Sequence, residues 1–154
     1  MANKLSRHAC IRRSPFVLFA FLFLAFPVMV SAQSGGDAGP IKASPAYAEV
    51  LLRKTELLAD LESLLPDYTE ASPRVTDLRA ELGQIDKSLQ RMFAVRPSET
   101  GKLTLALGKL IVRHAALQTE LSRLMRSYTK EQSDVKRASR KAAVFESAIN
   151  DLLK

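Results

Sequence analysis

Histidine and cysteine most often carry catalytic or metal chemistry, and this sequence holds few of either. Its 154 residues include two histidines, His8 and His114, and a single cysteine, Cys10. The serines lie in no nucleophile motif, the carboxylates show no zinc or calcium spacing, and the few glycines form no phosphate-binding loop. We therefore expect no catalytic residue, no cofactor and no metal, and we predict that the protein is not an enzyme.

His114 lies on the apolar seam of a predicted helix and has two interpretations. It can be a polar residue that sets the register of helix packing, as a buried asparagine does in coiled coils. It can also be a pH sensor, because histidine gains its charge near pH 6.5. We favour the first interpretation.

Residues 1–32 have the pattern of a cleavable export signal. Basic residues come first, at Lys4, Arg7, Arg12 and Arg13, and an apolar run then extends from Phe16 to Val30. This run is shorter than the roughly 20 residues of a spanning helix, and small residues before Gln33 predict cleavage after Ala32. We expect a periplasmic protein, or alternatively a secreted one, without a membrane span after cleavage.

Charge is unevenly distributed over the remaining chain. Residues 33–100 hold 8 basic and 11 acidic residues, whereas residues 101–154 hold 11 basic and 5 acidic ones. The densest basic stretch is a candidate basic surface made of Arg126, Lys130, Lys136, Arg137, Arg140 and Lys141. It is either an ordinary solvated helix face, which we favour, or a contact for anionic polymers or lipids of the cell envelope. Nucleic acid is not expected, because the protein is exported and aromatic residues do not alternate with the basic ones.

Apolar spacing predicts an all-α fold after a flexible linker over residues 33–45. A first helix is expected over about 46–65 and a second over about 73–94, where Ser72 precedes Pro73 as a helix-start signal. Together they form a predicted antiparallel helical hairpin over residues 46–94.

A long third helix is predicted over residues 102–154. Its apolar positions alternate in steps of three and four from Leu103 to Leu152, as in a coiled coil. Its first half would pack on the hairpin within one domain, and its second half would project as an arm. Glu131 interrupts the seam, either as an ion-pair partner or, as we favour, where packing loosens. The candidate interaction seam is Val135, Ala138, Ala142, Phe145, Ile149 and Leu152.

The segment between the first two helices resembles a known turn. Tyr68-Thr69 is followed by Ser72-Pro73-Arg74-Val75 and then by Leu78. This pattern resembles the turn in the periplasmic coiled coil of polysaccharide chain-length determinant proteins (polysaccharide co-polymerases), where histidine is common at the position of Ser72. The resemblance covers residues 46–93 and implies a periplasmic helical hairpin near envelope assembly machinery. It does not imply a role in setting polymer length, because that family has two membrane spans flanking its periplasmic region.

Three functional hypotheses follow. The first is a non-catalytic scaffold or adaptor of the cell envelope that docks the seam of the third helix on a protein partner or on a second copy. The second is a periplasmic holdase-type chaperone with basic helical arms. The third is a binder of anionic envelope polymers or lipid through the basic surface.

Overall fold

Five α-helices and one 3₁₀ helix make up the regular structure of residues 38–154, the part of the chain that the computed structural model describes. The helices are α1 (Gly39–Lys42), α2 (Pro45–Leu64), α3 (Pro73–Phe93), the 3₁₀ helix (Pro97–Lys102), α4 (Leu105–Ser127) and α5 (Ser133–Leu153). This part contains no strand, so the predicted all-α class is confirmed there. The predicted export signal lies outside the described residues.

Proline and hydroxyl side chains set the helix starts. Pro45 and Pro73 occupy first helical positions, where the missing N–H costs no hydrogen bond. The Ser44 side chain accepts a hydrogen bond from the Tyr47 N–H at 3.2 Å, and the Thr104 side chain accepts one from the Leu107 N–H at 3.3 Å. Such caps satisfy donors that the first turn of a helix leaves open.

The end of the predicted flexible linker is folded onto the core. Residues 39–42 form α1, and Ile41 is only 4% exposed. Ser44 continues this contact, because its hydroxyl donates to the Ile41 carbonyl at 2.6 Å. The linker prediction is therefore wrong for these residues, because one buried isoleucine ties them to the helices.

The prediction of one long C-terminal helix is also wrong. The chain leaves α4 at Tyr128, which is extended (φ −133°, ψ 153°), and it enters α5 at Ser133. The intervening turn lets α5 fold back and pack along α4. Folding back covers the apolar side of α5, which a projecting arm would leave in water.

The described helices form two equivalent helix pairs, α2 with α3 and α4 with α5. The starts of α2 and α4 are 60 residues apart (45 and 105), and so are those of α3 and α5 (73 and 133). The capping residues Ser44 and Thr104 have the same spacing. The protein is thus built from a repeated unit, an organisation that the sequence analysis missed.

The turns inside the two pairs share three residues and two backbone hydrogen bonds at equivalent positions. Tyr68-Thr69 and Val75 in the first turn correspond to Tyr128-Thr129 and Val135 in the second. The Tyr68 N–H donates to the Leu64 carbonyl and the Tyr128 N–H to the Leu124 carbonyl, both at 2.9 Å. Each turn then closes with a second backbone bond, from Ser72 to Thr69 and from Gln132 to Thr129.

The α4 helix lies at the centre of the described helices and contacts α2, α3 and α5. The core is formed on one side by the first helix pair, α2 and α3, and on the other side by α4 and α5. Its largest fully buried side chains include Leu57, Ile85, Met92, Leu103, Leu107 and Ile149. Gly108 allows close packing, because a Cβ there would lie 2.9 Å from the Glu49 Cβ and 3.0 Å from the Ala46 backbone.

Candidate functional site

The predicted basic surface surrounds the turn between α4 and α5. Arg126 lies at the end of α4, Lys130 lies in the turn, and the remaining four residues lie within the first nine residues of α5. All six residues are exposed. Because the turn reverses the chain, these charges lie together at one end of the helix pair. In a continuous helix they would be spread along its length.

Two members of the basic surface have carboxylate partners. Arg126 forms an ion pair with Asp77 of α3, and Arg137 lies 3.9 Å from Asp134 on its own helix. Lys130, Lys136, Arg140 and Lys141 have no carboxylate within 4 Å among residues 38–154. These four cations are available to an external anion.

The repeat explains part of this excess charge. In the first helix pair, Arg53 is neutralised by Glu81, with Nη2 to Oε1 at 2.8 Å. The equivalent positions of the second pair hold Arg113 and Lys141, two cations that are both exposed. The second pair therefore lacks the acidic partner that the first pair has at this position.

An apolar groove lies within the basic surface. It has a volume of about 610 Å³ and runs between the end of α4 and the start of α5. Its apolar floor is Leu121, Met125 and Val135, and its polar lining is Lys130, Lys136, Ser139 and Arg140. The volume falls within the roughly 300–1,000 Å³ of small-molecule sites. Sequence reasoning identified the cations but not the groove, because only the chain reversal brings Leu121 and Met125 beside Val135.

The candidate interaction seam is mostly buried inside the chain. Val135, Ala138, Ala142 and Ile149 are at most 6% exposed, and Phe145 is half-buried. Leu152, at 41% exposed, is the one member that remains open. The expectation that this seam lacks a partner within the chain is wrong, because α4 supplies the partner. The adaptor hypothesis therefore loses the surface on which it was based.

Glu131 lies exposed in the turn between α4 and α5. It makes no ion pair with any residue of the described part. The interruption of the seam at this residue marks the place where the chain reverses.

His114 belongs to a polar cluster that joins three helices. Its Nε2 lies 3.1 Å from the Gln118 amide nitrogen and 3.4 Å from Oε2 of Glu146 on α5. Arg91 of α3 donates to Glu146 at 3.0 Å and to Asn150 at 2.6 Å. Burial lowers the pKa of His114 below its usual value; Glu146 opposes this effect and Arg91 adds to it.

The position of His114 also follows the repeat. Lys54 of the first pair lies 60 residues earlier and bonds Asp86 at 2.6 Å, and Asp86 corresponds to Glu146. Each pair thus places a nitrogen base of its first helix against an acid of its second. This equivalence supports the structural interpretation of His114 over the pH-sensor interpretation.

Residues 38–154 contain no cluster of three or more His, Cys, Asp or Glu residues that could hold a metal ion. Among the same residues, none of the helices combines the length and the apolar content needed to cross a membrane. Comparison with protein families, curated proteins and solved structures gives no significant match to this chain.

Proposed function

We propose that the protein is a non-catalytic binder of anionic lipid in the cell envelope and that it attaches through its basic surface. The observation that carries this proposal is the apolar groove bordered by Lys130, Lys136 and Arg140. Cations without acidic partners attract a phosphate or carboxylate headgroup, and basic residues near an anionic membrane each contribute about 1 kcal/mol. The predicted export signal supplies the expected location, at an envelope membrane.

The apolar floor supports lipid over an acidic polysaccharide. Met125 is 44% exposed and Tyr128 is 47% exposed, and both lie at the tip that carries the cations. Tyrosine is favoured at membrane interfaces, where its ring meets apolar chains and its hydroxyl meets water. A hydrated polysaccharide would use the charges but not these apolar groups.

The test is binding to vesicles. We expect the protein to co-sediment with phosphatidylglycerol vesicles and not with phosphatidylcholine vesicles, and to dissociate as salt rises. Changing Lys130, Lys136 and Arg140 to Gln removes three cations. At about 1 kcal/mol each, their loss weakens binding roughly 100-fold.

A matched control removes the same charge elsewhere. Lys42, Lys87 and Lys109 are exposed and lie outside the groove, so changing them to Gln alters the net charge equally. The control variant is expected to bind at least ten times more tightly than the groove variant. Equal loss in both variants would reduce the interaction to net charge and contradict a defined site. Binding to soluble acidic polysaccharide but not to vesicles would reassign the ligand.

A further inference from the structure

We propose that the exposed face of α2 binds a second copy of this chain, with the two α2 helices antiparallel about a two-fold axis at Thr55. Three leucines stand open on this helix: Leu51 and Leu58 are each 42% exposed and Leu52 is 57% exposed. They share one face with Ala48, Thr55 and Ala59, by helical periodicity. This surface is separate from the basic surface, so the inference goes beyond the proposed function.

The repeat indicates that this face is suited to being covered. Sixty residues further on, α4 carries equivalent positions, which pack against the first helix pair. There Ile111 is 2% exposed, Ala115 is 1% exposed and Thr119 is 9% exposed. Their counterparts Leu51, Thr55 and Ala59 are all exposed. Of the two equivalent helices, α4 thus has its small and aliphatic face covered, and α2 does not.

Head-to-tail packing, with α2 of a second copy on the outer side of α4, does not reproduce the packing of α4 on α2 within the chain. Inside the chain, α4 approaches α2 closely because Gly108 has no side chain to meet Ala46 and Glu49. The counterpart of Gly108 on the α2 face is Ala48. Stacking α2 of a second copy on the outer side of α4 would bring the Ala48 Cβ against Ala106 at the distance that only glycine allows. Extending the repeat between copies would therefore require α2 of the second copy to lie farther from α4 than α4 lies from α2 within one chain.

The residues of the face favour a two-fold arrangement instead. Leu52 and Leu58 each lie three positions from Thr55, and Leu51 and Ala59 each lie four positions from it. Antiparallel packing centred on Thr55 therefore places Leu52 opposite the partner's Leu58. It also places the larger Leu51 opposite the smaller Ala59 of the partner subunit. Such self-complementarity is what a closed two-fold interface requires.

Most charged residues near the face are paired within their own copy, and exposed Glu62, seven positions after Thr55, lies at the edge of the contact opposite Ala48 of the partner subunit. Arg53 bonds Glu56 and Glu81, and Lys54 bonds Asp86, so the cations of this stretch are neutralised within their own copy. No charged residue interrupts the face between Ala48 and Ala59, because those in the interval project from other sides of the helix. The contact is therefore apolar, like the core of a homodimer interface.

The first experiment measures mass by light scattering, with helicity on the same samples. A dimer is expected at about 50 µM protein. Leu51→Asp would place two buried carboxylates in the interface and is expected to give a monomer of unchanged helicity. Leu105→Asp is the matched control, because Leu105 is 46% exposed but lies on α4; this variant should remain dimeric. A monomeric wild type, or a dimer that survives Leu51→Asp, overturns the proposal.

The second experiment tests the axis itself in a Cys10→Ser background. Thr55→Cys brings two sulfurs together on a two-fold axis, so oxidation should link the two copies by a disulfide. Ser147→Cys, exposed on α5, is the control and should remain unlinked. Equal cross-linking of both variants, or none at Thr55→Cys, would contradict an axis at this residue.

Discussion

At the scale of single residues, two glycines differ in the space available for an added side chain. Gly108 is buried where α4 meets α2, and an added Cβ there would lie 3.0 Å from backbone atoms of Ala46. Gly83 lies exposed in the middle of α3, and a Cβ there would meet no atom within 4 Å. The same substitution should therefore change stability in opposite directions.

We expect Gly108→Ala to lower the free energy of unfolding by about 1–2 kcal/mol, because overpacking outweighs the gain in helix propensity. Gly83→Ala should raise it by about 0.5–1 kcal/mol. Urea unfolding of the two variants measures both effects. Stabilisation by Gly108→Ala would show that the contact between α2 and α4 is looser than described.

His114 gives a second residue-scale prediction, in the pH dependence of stability. Because its pKa is lower in the folded state, the unfolded chain takes up the proton first as pH falls. The stabilising contribution of the neutral ring is therefore complete above the unfolded pKa of about 6.5 and is lost as pH falls through the folded pKa.

We expect the free energy of unfolding to decrease between pH 7 and pH 5, and His114→Gln to flatten this slope. His114 is the only histidine among the described residues, and it faces Gln118, Glu146 and Arg91. Chemical unfolding at several pH values provides the measurement. A rise in stability toward pH 5 would mean that attraction to Glu146 outweighs burial.

At the scale of elements, α5 is an integral part of the core and not an appendage. Its Val135, Ala138, Ala142 and Ile149 are buried, and it packs along the length of α4. Removing it would expose the side of α4 that it covers, at roughly 1.5–3 kcal/mol for each large aliphatic side chain. That is a large part of the 5–15 kcal/mol typical of a small domain.

A stop codon after Ser127 tests this role. We expect the shortened chain to lose cooperative thermal unfolding, as followed by circular dichroism. A projecting arm would behave differently, because its removal would leave the melting temperature unchanged. The matched control removes only the exposed Lys154 that follows α5 and should unfold like the full chain.

The two turns show what sequence patterns could predict at this scale. Pro66 and the Ser72-Pro73 pair mark the first turn directly, and α3 begins at the predicted residue. The second turn carries no proline. Its residues also keep the seam in phase, because Leu124, Tyr128, Glu131 and Val135 continue the steps of four and three. Periodicity therefore could not distinguish a turn from a continuous helix.

A different signal was present in the sequence. Tyr-Thr followed by Val six residues later occurs at both turns, 60 residues apart. Comparing the chain with itself would have predicted the second turn from the first. The resemblance to chain-length determinant proteins rests on these same residues, which occur in both turns of this chain. The motif therefore describes the geometry of this type of turn. The relation to that family stays a prediction.

At the scale of the whole molecule, sequence reasoning predicted the fold class and the distribution of charge better than the contacts between helices. The all-α class and the concentration of positive charge follow from local spacing and residue counts. The groove and the covered seam depend on which helices meet, and that is decided by a single chain reversal. In the repeat, the first helix pair holds an excess of acidic residues and the second an excess of basic residues. The two units therefore differ in the sign of their net charge.

The close approach at Gly108 also limits how this architecture could be lengthened. A third 60-residue unit added after Lys154 would place its first helix against the outer side of α4, beside Ala106 and Lys109. The residue opposite Ala106 would have to be glycine for the spacing to repeat. A designer extending the protein could thus copy the second unit, which carries Gly108, but not the first, which carries Ala48.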